Sequence, residues 1–238
     1  MDHSRTISVH KNSPSLEIDA ARFIAAHHKY LTEKGVRVEC SGDFDALDMV
    51  CKQGNSKAPL NAFFDPEYVD TPAHKGLWIS GFNEEHGLIH IQAMRCDDLG
   101  WTTLADWWRM HFRRIYKCPM ARDQHPVAES MSGRIVFHGE FWMDQRMSPR
   151  YLWPALARLG MAVAAVRWRP DYLYGLTSER YSNSGFAARG GYRHKSENAV
   201  DWAVENPPWD PSDHMIWNDW QDLVDLISSP PEAYFSGL

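Results

Sequence analysis

The chain has 238 residues, 44% of them hydrophobic and 24% charged, with a formal net charge of −6. That is enough apolar sequence for one large core, and the acidic balance excludes a protein whose whole surface grips nucleic acid. Cys40, Cys51, Cys96 and Cys118 form no Cys-x-x-Cys pair and no run approaches the ~18 apolar residues of a membrane helix, so no metal site, no redox motif and no membrane contact are expected, and a cytoplasmic location is.

Ser13-Pro14-Ser15 introduces a helix on which Leu16, Ala20, Phe23, Ile24, His27, Tyr30 and Leu31 share a face, with Gly35 as its end. A short strand over Val36 to Cys40 and a helix over Asp43 to Cys51 follow. Pro66 and Pro72 make Asn61 to His74 an irregular surface loop over a site. Gly76 to Phe82 and Gly87 to Met94 flank a polar turn and predict a hairpin. Thr102 or Thr103 caps a helix that turns Leu104, Trp107, Trp108, His111, Phe112 and Ile115 inward and its cations outward. Pro119 to Ser130 reads as a linker without periodicity.

Arg134 to Met143 is an apolar run of strand character. After Asp144 to Pro149, the apolar residues Leu152, Ala155, Leu156, Leu159, Ala162, Val163 and Val166 recur at helical spacing. Asp171 to Leu176 is then a strand parallel to the first, reached by a right-handed crossover. Glu179 to Arg189 predicts one short helix, with a strand beginning at Tyr192. Val200 to Val204 and His214 to Trp217 are expected to pair. Asn218 and Gln221 predict a capping box for a last helix that buries Trp220, Leu223, Val224 and Ile227.

This order of elements resembles the GNAT superfamily of N-acyltransferases over residues 76 to 217. The fold implied is α/β (α+β): a central mixed sheet flanked by helices, with an N-terminal helical and loop region (residues 1–75) packed on a GNAT-like domain (residues 76–238). In the alignment that the resemblance gives, Phe141 and Met143 take the apolar strand positions of the family signature. Ser148-Pro-Arg-Tyr-Leu-Trp153 takes its glycine-rich turn, and Gly190-Gly-Tyr-Arg-His194 is similar to its Leu-Gly-Phe-Arg turn. The family's turn holds the pyrophosphate of acyl-coenzyme A on backbone amides, so the resemblance implies acetyl-coenzyme A or another acyl-coenzyme A as cosubstrate. Phe141, Trp142, Met143, Arg146, Ser148 and Arg150 would hold it. Pro149, Tyr151 and Trp153 stand where the family has glycines.

Acyl transfer to an amine needs a group to accept the amine proton and a donor that polarises the thioester carbonyl. Glu140 is the expected base, on the central strand among Phe and Trp residues; by strand parity His138 and Trp142 share its face. The family's tyrosine acid falls on Ala187, which leaves Tyr181 and Ser184 as hydroxyl candidates on the same helix. Tyr172, Tyr174 and Tyr192 are placed beside an acceptor pocket. The function expected is transfer of an acyl group, acetyl in the first instance, to an amine of a small molecule or peptide, with nucleic acid not expected as partner. A non-catalytic binding or regulatory protein on the same fold is the alternative.

Overall fold

The computed structural model describes residues 14–53, 60–121, 124–147, 149–204 and 213–235. Its centre is a seven-stranded mixed sheet of order β1-β2-β3-β4-β5-β7-β6, built from β1 (Arg37–Ser41), β2 (Gly76–Asn83), β3 (Gly87–Asp98), β4 (Arg134–Met143), β5 (Tyr172–Thr177), β6 (His194–Ser196) and β7 (His214–Asp219). Every pairing is antiparallel except β4 with β5, which the crossover helix α5 (Pro149–Trp168) joins in parallel. The expected α/β architecture, a mixed sheet between helical layers, is therefore the one observed.

Alternation along the strands fills both faces. On one, Ile135, Phe137 and Tyr174 pack with Trp107, Trp108 and Phe112 of α3 (Leu104–Tyr116), with α2 (Phe44–Gln53), and with Leu60, Phe63 and Phe64. On the other, Val136, Leu173 and Ile216 meet α5, α1 (Pro14–Glu33) and a C-terminal helix. The segment from Asn61 to His74 is irregular as expected, but Phe63 and Phe64 are fully buried, so it plugs the α3 face rather than riding on the surface. Behind it the Arg95 guanidinium, also buried, donates to Phe63 O at 2.7 Å and to Asp97 at 2.9 Å.

Several local expectations fail for identifiable reasons. The linker before β4 contains α4 (Pro126–Ser130), whose cap is His125: its Nδ1 accepts the Val127 N–H, a role that sequence reading gives to Ser, Thr, Asp or Asn. The single helix after β5 is two, α6 (Glu179–Asn183) and α7 (Phe186–Gly190), because Gly185 sits between them at φ 77°. Tyr192 precedes β6 rather than beginning it. Val200 to Val204 does not pair with β7; Trp202 bridges Met120 instead, and β7 lies between β5 and β6. The capping box of α8 (Trp220–Ile227) is Asp219 with Asp222, one residue later than expected, since the Asn218 side chain is engaged with Gly191 O and Arg193 N. Val166 is 50% exposed: the apolar stripe of α5 outlasts the surface it covers.

Arg158 of α5 is buried and donates to the carbonyls of Arg189 and Tyr234, at 3.1 and 2.6 Å. It ties the end of α7 to the C-terminal segment. Among the described residues, no helix is long and apolar enough to cross a membrane.

Candidate active-site cleft

β4 and β5 share register only from Ile135↔Tyr172 to Phe137↔Tyr174. Beyond that point β5 keeps its pairing with β7, while β4 keeps its pairing with β3 as far as His90↔Met143. The two strands part, and a cleft of about 630 Å³ opens between them, lined by residues 138–141 and 143–145 from β4 and its turn and 175–178 from β5 and the residue after it. At its root the chains stay close: a Cβ on Gly175 would lie 2.8 Å from His138 O, so only glycine fits there.

A bulge decides which side chains reach the cleft. The register with β3 shifts between Ile91 and Ala93, and Glu140 takes φ +53°, a left-handed conformation uncommon for a non-glycine residue. The extra residue reverses the parity beyond it. His138, Phe141 and Met143 face α5, whereas Trp142 packs toward α3. His138, Glu140 and Trp142 therefore do not share a face, contrary to the expectation from simple alternation. Glu140 lines the cleft with its Oε2 accepting the Asn61 N–H at 2.8 Å, which fixes its carboxylate from the α3 side.

Below Glu140 lies a closed polar chain. The Gln92 amide Nε2 donates to Leu156 O at 2.8 Å, which leaves Gln92 Oε1 to face His138 Nε2 at 2.7 Å; His138 Nδ1 meets the Tyr192 hydroxyl at 2.9 Å. The directions follow from the amide: Oε1 only accepts, so His138 carries its proton on Nε2, and Nδ1 accepts from the tyrosine O–H. Burial lowers the His138 pKa to about 4 and pushes the Tyr192 hydroxyl up, so the pair is uncharged at neutral pH. A second buried histidine, His90, donates from Nδ1 to Trp142 O at 2.8 Å behind the same strand.

One wall is aromatic. Trp153 stacks on Phe186 at 4.1 Å, Phe141 stands edge-on to both, Tyr181 lies 5.8 Å from Phe186, and the Arg189 guanidinium covers Trp153 at 5.7 Å. A Cβ on Gly190 would meet the Trp153 ring at 2.9 Å, so the glycine of the Gly190-Gly191 turn makes room for that ring.

The expected residues are distributed as follows. Glu140, Tyr181, Ser184, Phe141 and Met143 line the cleft. Tyr181 is 57% exposed, and the Ser184 hydroxyl donates to Tyr181 O at 2.7 Å, closing α6. Trp142 packs on the α3 side. Arg146 folds back on Asp144, donating from Nε and Nη2 to its carboxylate, and holds that acid near pKa 2. Ser148 lies outside the described residues, as does the side chain of Arg150. Of the three tyrosines, Tyr192 lines the cleft; Tyr174 takes a hydrogen bond from Trp108 on the opposite face, and Tyr172 packs there too. The glycine position taken by Trp153 belongs to the aromatic wall.

Sequence reasoning missed Gln92 and the coupling of His138 to Tyr192. These residues are 46 and 54 positions apart, and only the Gly-Tyr turn hinted at the second partner. The one group of potential metal ligands among the described residues, His194 with Asp219 and Asp222, is a helix cap: Asp219 accepts the Asp222 N–H, and Asp222 accepts the Asp219 N–H.

No family model and no curated protein matches the sequence. Solved structures do resemble its fold. NAA60 of Arabidopsis thaliana in complex with acetyl-CoA aligns at 8% identity and TM-score 0.45 over 77% of this chain and 98% of that one. A variant of the spermidine N-acetyltransferase SpeG from Vibrio cholerae aligns at 6% and 0.46 over 80% and 97%. FeeM, an N-acyl amino acid synthase from uncultured soil microbes, aligns at 10% and 0.36 over 89% of each. These likenesses are too distant to speak for activity. The chain's own topology, a parallel pair that splays beside an antiparallel hairpin and a crossover helix, makes the fold GNAT-like.

Proposed function

We propose that the protein is an N-acyltransferase that moves an acyl group from acyl-coenzyme A to an amine of a small molecule or peptide. The observation that carries this reading is the splay of β4 from β5, which sets one strand edge and one carboxylate against the same cleft. The coenzyme A thioester supplies the activated acyl group. In this reading the cleft takes the acyl end, with Phe141 and Met143 on β4 and Trp153 at the start of α5 as walls. For the pyrophosphate end the sequence resemblance offers Arg146, Ser148 and Arg150.

Glu140, held by the Asn61 amide, accepts the proton as the amine nitrogen bonds to the carbonyl carbon and the carbon–sulfur bond breaks. Tyr181, exposed and beside Phe186, is the proposed donor of a proton to the leaving thiolate. His138 and Tyr192 act on geometry: uncharged and mutually satisfied, they keep the base of the cleft in shape. The Asp144–Arg146 pair limits how much positive charge the mouth offers, so pyrophosphate binding is expected to compete with that pairing.

The test is calorimetric titration with coenzyme A, the part common to every donor, followed by an acyl-transfer assay of Glu140→Gln. Binding, with a fall in kcat/KM of about a hundredfold or more in a variant that unfolds at the wild-type midpoint, is the expected result. Absence of coenzyme A binding would remove the donor from this reading, and full activity in the variant would remove Glu140 as base.

A further inference from the structure

The chemistry of the cleft changes with depth. Its base is formed by His138, Tyr192 and Ile216, and the polar atoms there are used up internally. The Gln92 amide, the imidazole and the phenol hydroxyl each donate within one chain that ends on Leu156 O. No charge develops there at neutral pH, because burial disfavours both the imidazolium and the phenolate. Above that base rises the Trp153–Phe186 stack with Phe141 at its edge, joined by Leu176 and Met143. These side chains offer ring faces and methyl groups, and almost nothing that hydrogen-bonds.

Such a surface suits neither end of a small polar transfer. An acetyl group occupies a minor part of about 630 Å³. The two amides of a pantetheine arm and a polar amine lose their water without replacement against the aromatic wall, and find partners only in the polar part of the lining, Glu140, Gln145, Thr177 and Ser178 among it. Phe141 and Met143 of this wall belong to β4 and Trp153 to the start of α5, the two elements that face the donor in the acyltransferase reading, and Phe186 of α7 and Leu176 of β5 close it from the other side.

We propose that the donor's acyl group is a medium-length hydrocarbon chain, well beyond acetyl, laid along Trp153 and Phe186 with its methyl end toward His138 and Tyr192. This rests on the acyltransferase reading and specifies its substrate. It replaces acetyl, the first expectation from sequence, with a chain whose affinity comes from apolar burial.

The experiment is calorimetry on the full chain with coenzyme A and its acetyl, butyryl, hexanoyl and octanoyl thioesters, with free octanoate as a separate arm. Affinity should rise about three- to fourfold per methylene, the factor that burial of each apolar carbon provides. Phe186→Ala should flatten that ladder and leave coenzyme A itself bound as in the wild type; Phe186→Leu, a smaller change, serves the same comparison if the alanine variant does not fold. Equal affinity for acetyl and octanoyl thioesters overturns the chain-length proposal and leaves the acyltransferase reading standing. Octanoate bound in a Phe186-dependent way, with no thioester bound, keeps the apolar chain site and removes the coenzyme A donor. Binding of none of these ligands overturns both.

Discussion

The two edges of β4 behave differently. Toward β3 the strand is paired from Asp98↔Arg134 to His90↔Met143 and absorbs a bulge without losing register beyond it. Toward β5 it is paired only as far as Phe137↔Tyr174 and then opens. One strand thus serves as a wall on one side and as the lip of a cleft on the other. The continuous edge makes the open one possible: backbone that departs from β5 stays ordered because β3 still holds it.

Two substitutions probe that contrast, in decreasing order of effect, and pH probes the neutral burial beneath it. His138→Ala should be the most damaging, since it removes a buried ring and leaves Gln92 Oε1 and the Tyr192 hydroxyl without their partner; a loss of about 3 kcal/mol is expected in urea unfolding. A loss below about 1 kcal/mol would mean that the polar chain is not what holds the open side. Gly175→Ala places a methyl against His138 O and forces β4 and β5 apart at their root, for an expected cost of about 1–3 kcal/mol. If the midpoint of thermal unfolding does not move, the strands are less tightly joined there than the geometry requires.

The pH response is a graded one. Burial lowers His27 and His138 to about 4 and His90 to about 3, below the ordinary 6.5. Between pH 6.5 and about 4 the unfolded chain therefore binds protons that the folded chain refuses, and stability falls as pH falls through that window. Asp144 acts in a lower one: its folded pKa near 2 gives stability that is present above about 3.8 and lost toward 2. Urea midpoints measured from pH 7 to 4 should decline steadily, and a flat profile would contradict neutral burial of the histidines.

Much of the fold was legible because it rests on long periodic signals. The bounds of β4 are those read from its apolar run, and the α5 stripe and the β2–β3 hairpin needed no tertiary information. The candidate site was less so. Alternation places Glu140, His138 and Trp142 together, and a single inserted residue at Glu140 undoes that; Gly139 beside it is the one local mark of the bulge. The cap at His125 and the break at Gly185 are local, but each departs from the commonest residue pattern. The Gln92–His138–Tyr192 chain joins β3, β4 and the segment after α7, so only the assembled sheet brings it together. The sequence offers Arg146 to a phosphate, and its neighbour two residues back, Asp144, engages it.

Arg158 gives the cleft a further property. Its buried guanidinium is shared between Arg189 O, beside the aromatic wall, and Tyr234 O, 76 residues downstream of it. If the C-terminal segment lifts away, the cation loses one of its acceptors and the α7 end loses its brace. The tail and the cleft wall therefore form one cooperative unit, whose local opening is a joint event rather than the fraying of a chain end.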